Sequence, residues 1–150
     1  MPVDRPSGTV LERVRMNEPD LISLLKVGAD FARVSERSLG ELVRAGVVRE
    51  PAVGSEIIRQ GEASPQIWIL LNGELEVIID GSAVNRISHP GELVGQISAV
   101  SLIPATATVR VAEPSTCLSV SHQSLHQLFG SYPDLAEALL RSMAKYLGAK

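Results

Sequence analysis

The chain has a single cysteine, Cys117, among its 150 residues, so no intrachain disulfide can form. Cys117 lies in an apolar alternating run and reads as a small core residue. No block of Lys or Arg is present. The formal net charge is −3 and the pI is about 5.6. A free-standing nucleic-acid binder shows a basic face, so that class is disfavoured. The start, from Met1 to Gly8, has no apolar signal region. No apolar run approaches the length needed to span a bilayer. A cytoplasmic protein with no membrane partner is the expectation. No Ser/His/Asp or Cys/His constellation stands out, so an enzyme is not expected.

What is present is an ordinary globular balance, 45% apolar and 21% charged residues, enough for one domain with a real core. The first 20 residues read as an N-terminal tail and 21–150 as the domain. A weak helical turn falls over Thr9 to Met16. Pro19 and Asp20 open a better helix with Leu21, Leu24 and Leu25 near one face, and Gly28 ends it. Ser35 is an N-cap for a helix whose inner face is Leu39, Leu42 and Val43. From Val47 the period changes to short strands between glycine turns. Ile67 to Leu71 is continuously apolar, which implies cover on both faces, and ends at the hairpin signal Asn72-Gly73. Leu75, Val77 and Ile79 alternate and end at a second such signal, Asp80-Gly81. Ala107-Val109-Val111 and Cys117-Leu118-Val120 read as two more strands. Short strands at this spacing imply a sandwich or closed roll. Helical period returns at Ser121 and runs to Gly130. Pro133 starts a last helix with a stripe of Leu135, Leu139, Met143 and Leu147, widened by Leu140 and Ala144.

The most informative segment runs from Gly95 to Val109. It resembles the phosphate-binding cassette of cyclic-nucleotide-binding domains: Gly-Glu-(apolar)-(small), a short turn, then Pro-Arg-(small)-Ala-Thr-Val. Gly95, Ser98, Pro104 and Thr106-Ala107-Thr108-Val109 are in register. Gly54 to Glu62, the strand Ile67 to Leu71 and Gly73-Glu74-Leu75-Glu76-Val77 resemble further landmarks of the same family. So do Phe31, Val34 and Ser35. The resemblance covers about Leu24 to Leu147. It implies an α+β fold: an antiparallel β-roll or jelly roll flanked by N-terminal helices and by two C-terminal helices.

The resemblance also assigns a ligand site. Gly95, Gln96, Ile97 and Ser98 would open a short helix toward the cyclic phosphate. Ala105, Thr106 and Ala107 would complete the cassette. Tyr146 on the last helix is the lid candidate, with packing beside Leu147 as its simpler role. Two charges of the family are missing. Its ribose-binding glutamate is Gln96, and its phosphate-binding arginine is Ala105. Losing one partner of a buried, hydrogen-bonded charge pair costs roughly 2–5 kcal/mol. That is on the order of 30- to several thousand-fold in affinity. The preferred reading keeps Gly95 to Val109 purely as a helix-containing strand connection, with Pro104 and Thr108 serving the fold.

Other candidates have simple alternatives. His122 and His126 sit four apart on a helix, a spacing two metal ligands can use, but no third ligand accompanies them, so a solvated helix face is the preferred reading and no metal is expected. The roll also resembles the cupin enzymes, whose clustered His and Glu ligands are lacking. Trp68 faces away from Ile67, Ile69 and Leu71 by alternation, as packing beneath a flanking helix.

Three functions remain open. The first is a stand-alone, non-catalytic regulatory module with weak or no cAMP or cGMP binding. It has no cofactor, and signals to a partner protein or forms a homodimer through the terminal helix stripe Leu135, Leu139, Met143 and Leu147. The second is a true cyclic-nucleotide receptor with an altered phosphate site. The third, remote, is a small β-roll enzyme.

Overall fold

The computed structural model describes residues 16–147, with side chains through Ala144. The tail and the Thr9–Met16 turn lie almost wholly outside them. Helix α1 is Glu18–Val27. Asn17 caps it, accepting from the Asp20 N–H while the Asp20 carboxylate accepts from the Asn17 N–H, a reciprocal capping box. Helix α1 thus starts at Glu18, two residues ahead of the Asp20 in the expected opening pair. The signal is Asn17, three residues ahead of an acidic partner. Helix α2 is Glu36–Ala45, with Ser35 as the expected N-cap and Leu39, Leu42 and Val43 buried.

Six antiparallel strands follow: β1 Val47–Arg49, β2 Glu56–Ile58, β3 Gln66–Ile79, β4 Ser82–Ile87, β5 Leu93–Val94 and β6 Thr108–Ser121. Their path is β1-β6-β3-β4, with β2 also on β6 and β5 also on β3. The sheet curls into a roll but does not close, against the expectation of a closed roll or sandwich. Helix α3, Gln96–Ser101, lies between β5 and β6. Helices α4, His122–Ser131, and α5, Pro133–Leu147, end the described chain.

Two expected breaks are absent. Asn72-Gly73 is not a hairpin, and β3 runs through it. Likewise β6 is one strand where two were expected. The β3–β6 register slips between Leu70 and Asn72, between Asn72 and Glu74, and between Glu74 and Leu75. These are bulges that bend paired strands without reversing them. Gly73 sits there at φ +109, and an added Cβ would lie 2.2 Å from the Ser115 Oγ. Glycine is needed for both the backbone angle and the close approach. Asp80-Gly81 is the hairpin expected, pairing Ile79 with Ser82, with φ of 52° and 81°.

Strand alternation divides the interior in two. Ile67, Ile69 and Leu71 join Leu25, Phe31, Leu39, Leu125, Leu135 and Leu139 in a helix-side core. Trp68, Leu70 and Leu75 face the roll interior with Ile58, Val94, Ala105, Val109, Val111 and Cys117. Trp68 is therefore turned away from Ile67 and Ile69 as expected. The helix cover belongs to the other face, so it packs inside the roll.

Candidate functional site

The segment from Gly95 to Val109 has the local shape its residues dictate. Gly95 caps α3 at φ 82° and ψ 12°, a left-handed conformation that costs glycine little. Strand β5 delivers it: Val94 is opposite Trp68 on β3. On the return, Pro104 bridges to Ala63. The Ala105 N–H donates to the Glu62 carbonyl, and the Ala105 carbonyl accepts from the Gly61 N–H. The Thr108 Oγ1 accepts from the Gln60 N–H. The cassette is thus laced to the β2–β3 loop.

The polar side chains of α3 are turned to this chain's own partners. Gln96 is 2% exposed, and its Nε2 donates to the Ser142 Oγ of α5 at 3.2 Å. Ser142, also buried, donates its hydroxyl hydrogen bond to the Leu139 carbonyl. The Ser98 Oγ accepts from the Ser64 N–H at 2.8 Å. Ile97 is half-buried, and Thr106 is exposed while Ala107 is half-buried. An added Cβ on Gly95 would lie 2.7 Å from the Ile58 Cδ1, so Ile58 leans on the start of α3.

Ala105 is buried in the apolar roll cluster with Trp68, Ile58 and Val94. Arg59 on the adjoining loop pairs with Glu56 at 3.3 Å. Arg110 pairs with Glu76. Beside the cassette loop lies an open cleft of about 230 Å³ lined by Glu56, Ile58, Arg59, Glu62, Ser64 and Gln66 among others.

His122 and His126 serve the cassette from behind. The His122 Nδ1 meets the Ala99 carbonyl at 2.5 Å, and the His126 Nε2 meets the Val100 carbonyl at 3.1 Å. Both carbonyls belong to the last turn of α3, whose acceptors have no partner within the helix. The two histidines are helix-end donors: His126 is exposed, as a solvated face implies, while His122 is half-buried. Among the described residues no group of three His, Cys, Asp or Glu could hold a metal.

The stripe on α5 is likewise corrected as a free surface. Leu135 and Leu139 are 0% and 1% exposed, spent on the helix-side core. Met143 is half-buried. Tyr146 and Leu147 lie on α5, their side chains outside the described residues. The apolar residue α5 turns outward is Leu140, 64% exposed. At its first turn, Asp134 accepts from the Ser38 Oγ at 2.7 Å and from the Ser35 N–H at 3.1 Å. Burial alone would raise the Asp134 carboxyl, but these hydrogen bonds hold it below its ordinary value. No sequence pattern pointed to the Gln96–Ser142, His122–Ala99 or Asp134–Ser38 pairs. Each joins elements that only the fold brings together.

An open antiparallel roll, a short helix behind a left-handed glycine and a terminal helix pair define a class of helix-flanked β-roll domains. Residues 48–132 match the cyclic nucleotide-binding domain, and the chain belongs to that family. It is 29% identical over 101 residues to the HTH-type transcriptional regulator Cmr of Mycobacterium tuberculosis, covering 65% of this chain and 41% of the relative. It is 25% identical over 147 residues to the Pycsar effector protein BcPycTIR of Burkholderia cepacia, covering 97% and 46%. The chain therefore spans less than half the length of either relative. A solved cyclic nucleotide-binding domain from Methylobacillus flagellatus superposes with a TM-score of 0.72 at 16% identity, over 99% of this chain and 82% of that one. That likeness is one of fold. The family and fold fit a regulatory module, and among the described residues no helix is long and apolar enough to cross a membrane.

Proposed function

We propose that this domain is a non-catalytic regulatory module whose cassette binds cAMP and cGMP weakly or not at all, and which signals by contact with a partner protein. The observation that carries the reading is Ala105. The family's arginine position is filled by a methyl group buried in an apolar cluster with Trp68 and Ile58. A cyclic phosphate brought there would be a desolvated anion without a counter-charge, which is strongly unfavourable. The Gln96–Ser142 and Ser64–Ser98 hydrogen bonds support it, since each commits a cassette side chain to the protein itself.

The terminal helices remain the proposed route of output, now through the outward side of α5 around Leu140 and Ala144. A second copy of the chain is one form such a partner could take.

The test is isothermal titration of the protein with cAMP and cGMP, beside an Ala105→Arg variant. The expected result is no binding by the unaltered protein tighter than about 30 μM, the limit that loss of a buried charge partner predicts for a micromolar site. Micromolar binding by the unaltered protein would overturn the reading in favour of an altered receptor.

A further inference from the structure

The last turn of α3 is held by two side chains of α4 and followed by a strained residue. A carbonyl oxygen only accepts, so the ring nitrogen that meets it carries the hydrogen. Neutral His122 therefore stands as the Nδ1–H tautomer against the Ala99 carbonyl, and neutral His126 as the Nε2–H tautomer against the Val100 carbonyl. The centroids of the two rings lie 4.3 Å apart, as four-residue spacing on one helix face allows. Just beyond this turn, Leu102 closes α3 at φ 62° and ψ 16°, and its N–H donates to the Ser98 carbonyl at 2.7 Å. That left-handed angle is uncommon for a leucine and stores strain. Leu102 and Ile103 are 48% and 49% exposed, so burial contributes little to keeping the turn wound.

Charge decides what the pair can do. One imidazolium beside the carbonyl end of a helix is favoured by the helix dipole. A second, in a ring 4.3 Å away, meets the first as a like charge. The elements packed on α4 are α2, α3, β6 and α5. Helix α3 and the end of β6 from Thr116 carry no charged side chain. On α2, Arg44 is engaged by Glu18 and Glu41, and Glu36 and Arg37 lie in the exposed first turn. On α5, Asp134 is engaged by Ser35 and Ser38, and Glu137 by Arg141. Tyr132 stands at the far end of α4. Among the described residues, none of these side chains forms an ion pair with either imidazole. His126 is exposed and makes the longer contact, so it is the ring that leaves when both are charged.

We propose that His122 and His126 form a pH-sensitive clasp on the cassette helix, closed while the pair holds at most one proton and opened by the second. Opening frees the Val100 carbonyl, lets Leu102 leave its left-handed angle and unwinds the last turn of α3. The two histidines are positioning residues, and the signal they read is acidity, the change to which histidine is the most responsive side chain near neutral pH. The inference goes beyond the weak-binding reading and does not depend on it, because it concerns the placement of α3 with no nucleotide present.

The test is nuclear magnetic resonance on the full chain without ligand, as the pH is taken from about 7.5 to about 5, the range in which histidine changes charge. The Ser101 amide shares its peptide bond with the Val100 carbonyl, so its nitrogen shift reports that hydrogen bond. The expected result is a concerted shift of the Ser101 and Leu102 amides. Protection of the Leu102 amide, corrected for intrinsic exchange, should fall about fivefold relative to that of Val109, the worth of one hydrogen bond. In His126→Gln a side-chain amide can still donate but takes no proton, and the response should vanish. No response in the unaltered protein, or the same response in His126→Gln, overturns the inference. A second reading needs no variant. The chain has three histidines, and with His89 exposed as the reference, ring-nitrogen shifts at the upper pH should show His122 as the Nδ1–H form and His126 as the Nε2–H form. Both rings in one tautomer overturns the inference as well. Neither measurement uses a nucleotide, so the cAMP titration and this test fail separately.

Discussion

At the scale of single residues, the cassette is defined by what its side chains already hold. Gln96 replaces a carboxylate with an amide, and an amide brings two N–H donors a carboxylate lacks. One of them meets the Ser142 Oγ, and both residues are buried. A glutamate could not donate there. The Gln96–Ser142 bond is thus a property of this chain's own substitution, joining α3 to α5. In a cycle of Gln96→Ala, Ser142→Ala and the double variant, urea melts should give a coupling of about 1 kcal/mol, the net worth of one buried hydrogen bond. Each single variant should cost more than that, about 1–3 kcal/mol, because it leaves a buried polar group without its partner. A coupling below about 0.3 kcal/mol, the scatter expected of independent sites, would show that the two side chains do not act on one another. Trp68 and Ala105 are the other informative residues, and they belong together. The chain loses a charged side chain at one point of the roll interior and keeps a large aromatic one in the same cluster.

At the scale of elements, α5 is held at two polar points on one face. Near its start, Asp134 takes hydrogen bonds from Ser35 and Ser38 at the beginning of α2. Two turns on, Ser142 takes one from α3. Asp134 is half-buried, with its carboxyl held below its ordinary value. A carboxyl lowered by folding adds stability that is fully present above its unfolded value, near 3.8, and is lost as pH falls through the lower folded value. Asp134→Asn should therefore lower the melting temperature near neutral pH by a few degrees, corresponding to about 1 kcal/mol after allowance for solvent. The gap between the two proteins should close as the pH is taken from about 6 to below about 3. A gap independent of pH would mean that Asp134 acts through shape and not through charge. The elements themselves were largely legible. Ser35, Gly28, Pro133 and Asp80-Gly81 mark ends by local chemistry, and local chemistry decides caps and turns. Asn72-Gly73 misled because a bulge asks for the same left-handed glycine as a hairpin. What distinguishes the two is the partner strand, and Ser115 lies 41 residues beyond Glu74, the neighbour of that glycine. The cassette's outline was legible for the same reason as the caps. Its contents were not, because Ser142, His122 and Ser64 reach it only through the fold.

At the scale of the whole molecule, the sheet separates two interiors that share β3 and β6 but little else. The helix-side core binds α1, α2, α4 and α5 together. The roll core is built from strand residues and Ala105 alone. Helix α5 belongs to the first core through Leu135, Ala138 and Leu139, and that core also takes in Ala99 of α3. The polar link of α5 to the cassette is the Gln96–Ser142 hydrogen bond. A domain so divided should open in parts, with the terminal helix as one cooperative unit and the roll as another. This is the division a regulatory module needs if its output surface is to move without dissolving its sensing surface. Combining Asp134→Ala with Ser142→Ala removes both polar holds and leaves the apolar ones. In native-state hydrogen exchange, the amides of α5 from Leu135 to Met143 should then exchange roughly tenfold to a hundredfold faster, at about 1.4 kcal/mol per tenfold. The amides of Val109 and Val111, deep in the roll, should keep their protection. Equal acceleration across both would show that the helix and the roll unfold as one unit. The outward face of α5 could then change only by unfolding the whole domain, and a signalling role for that helix would lose its physical basis.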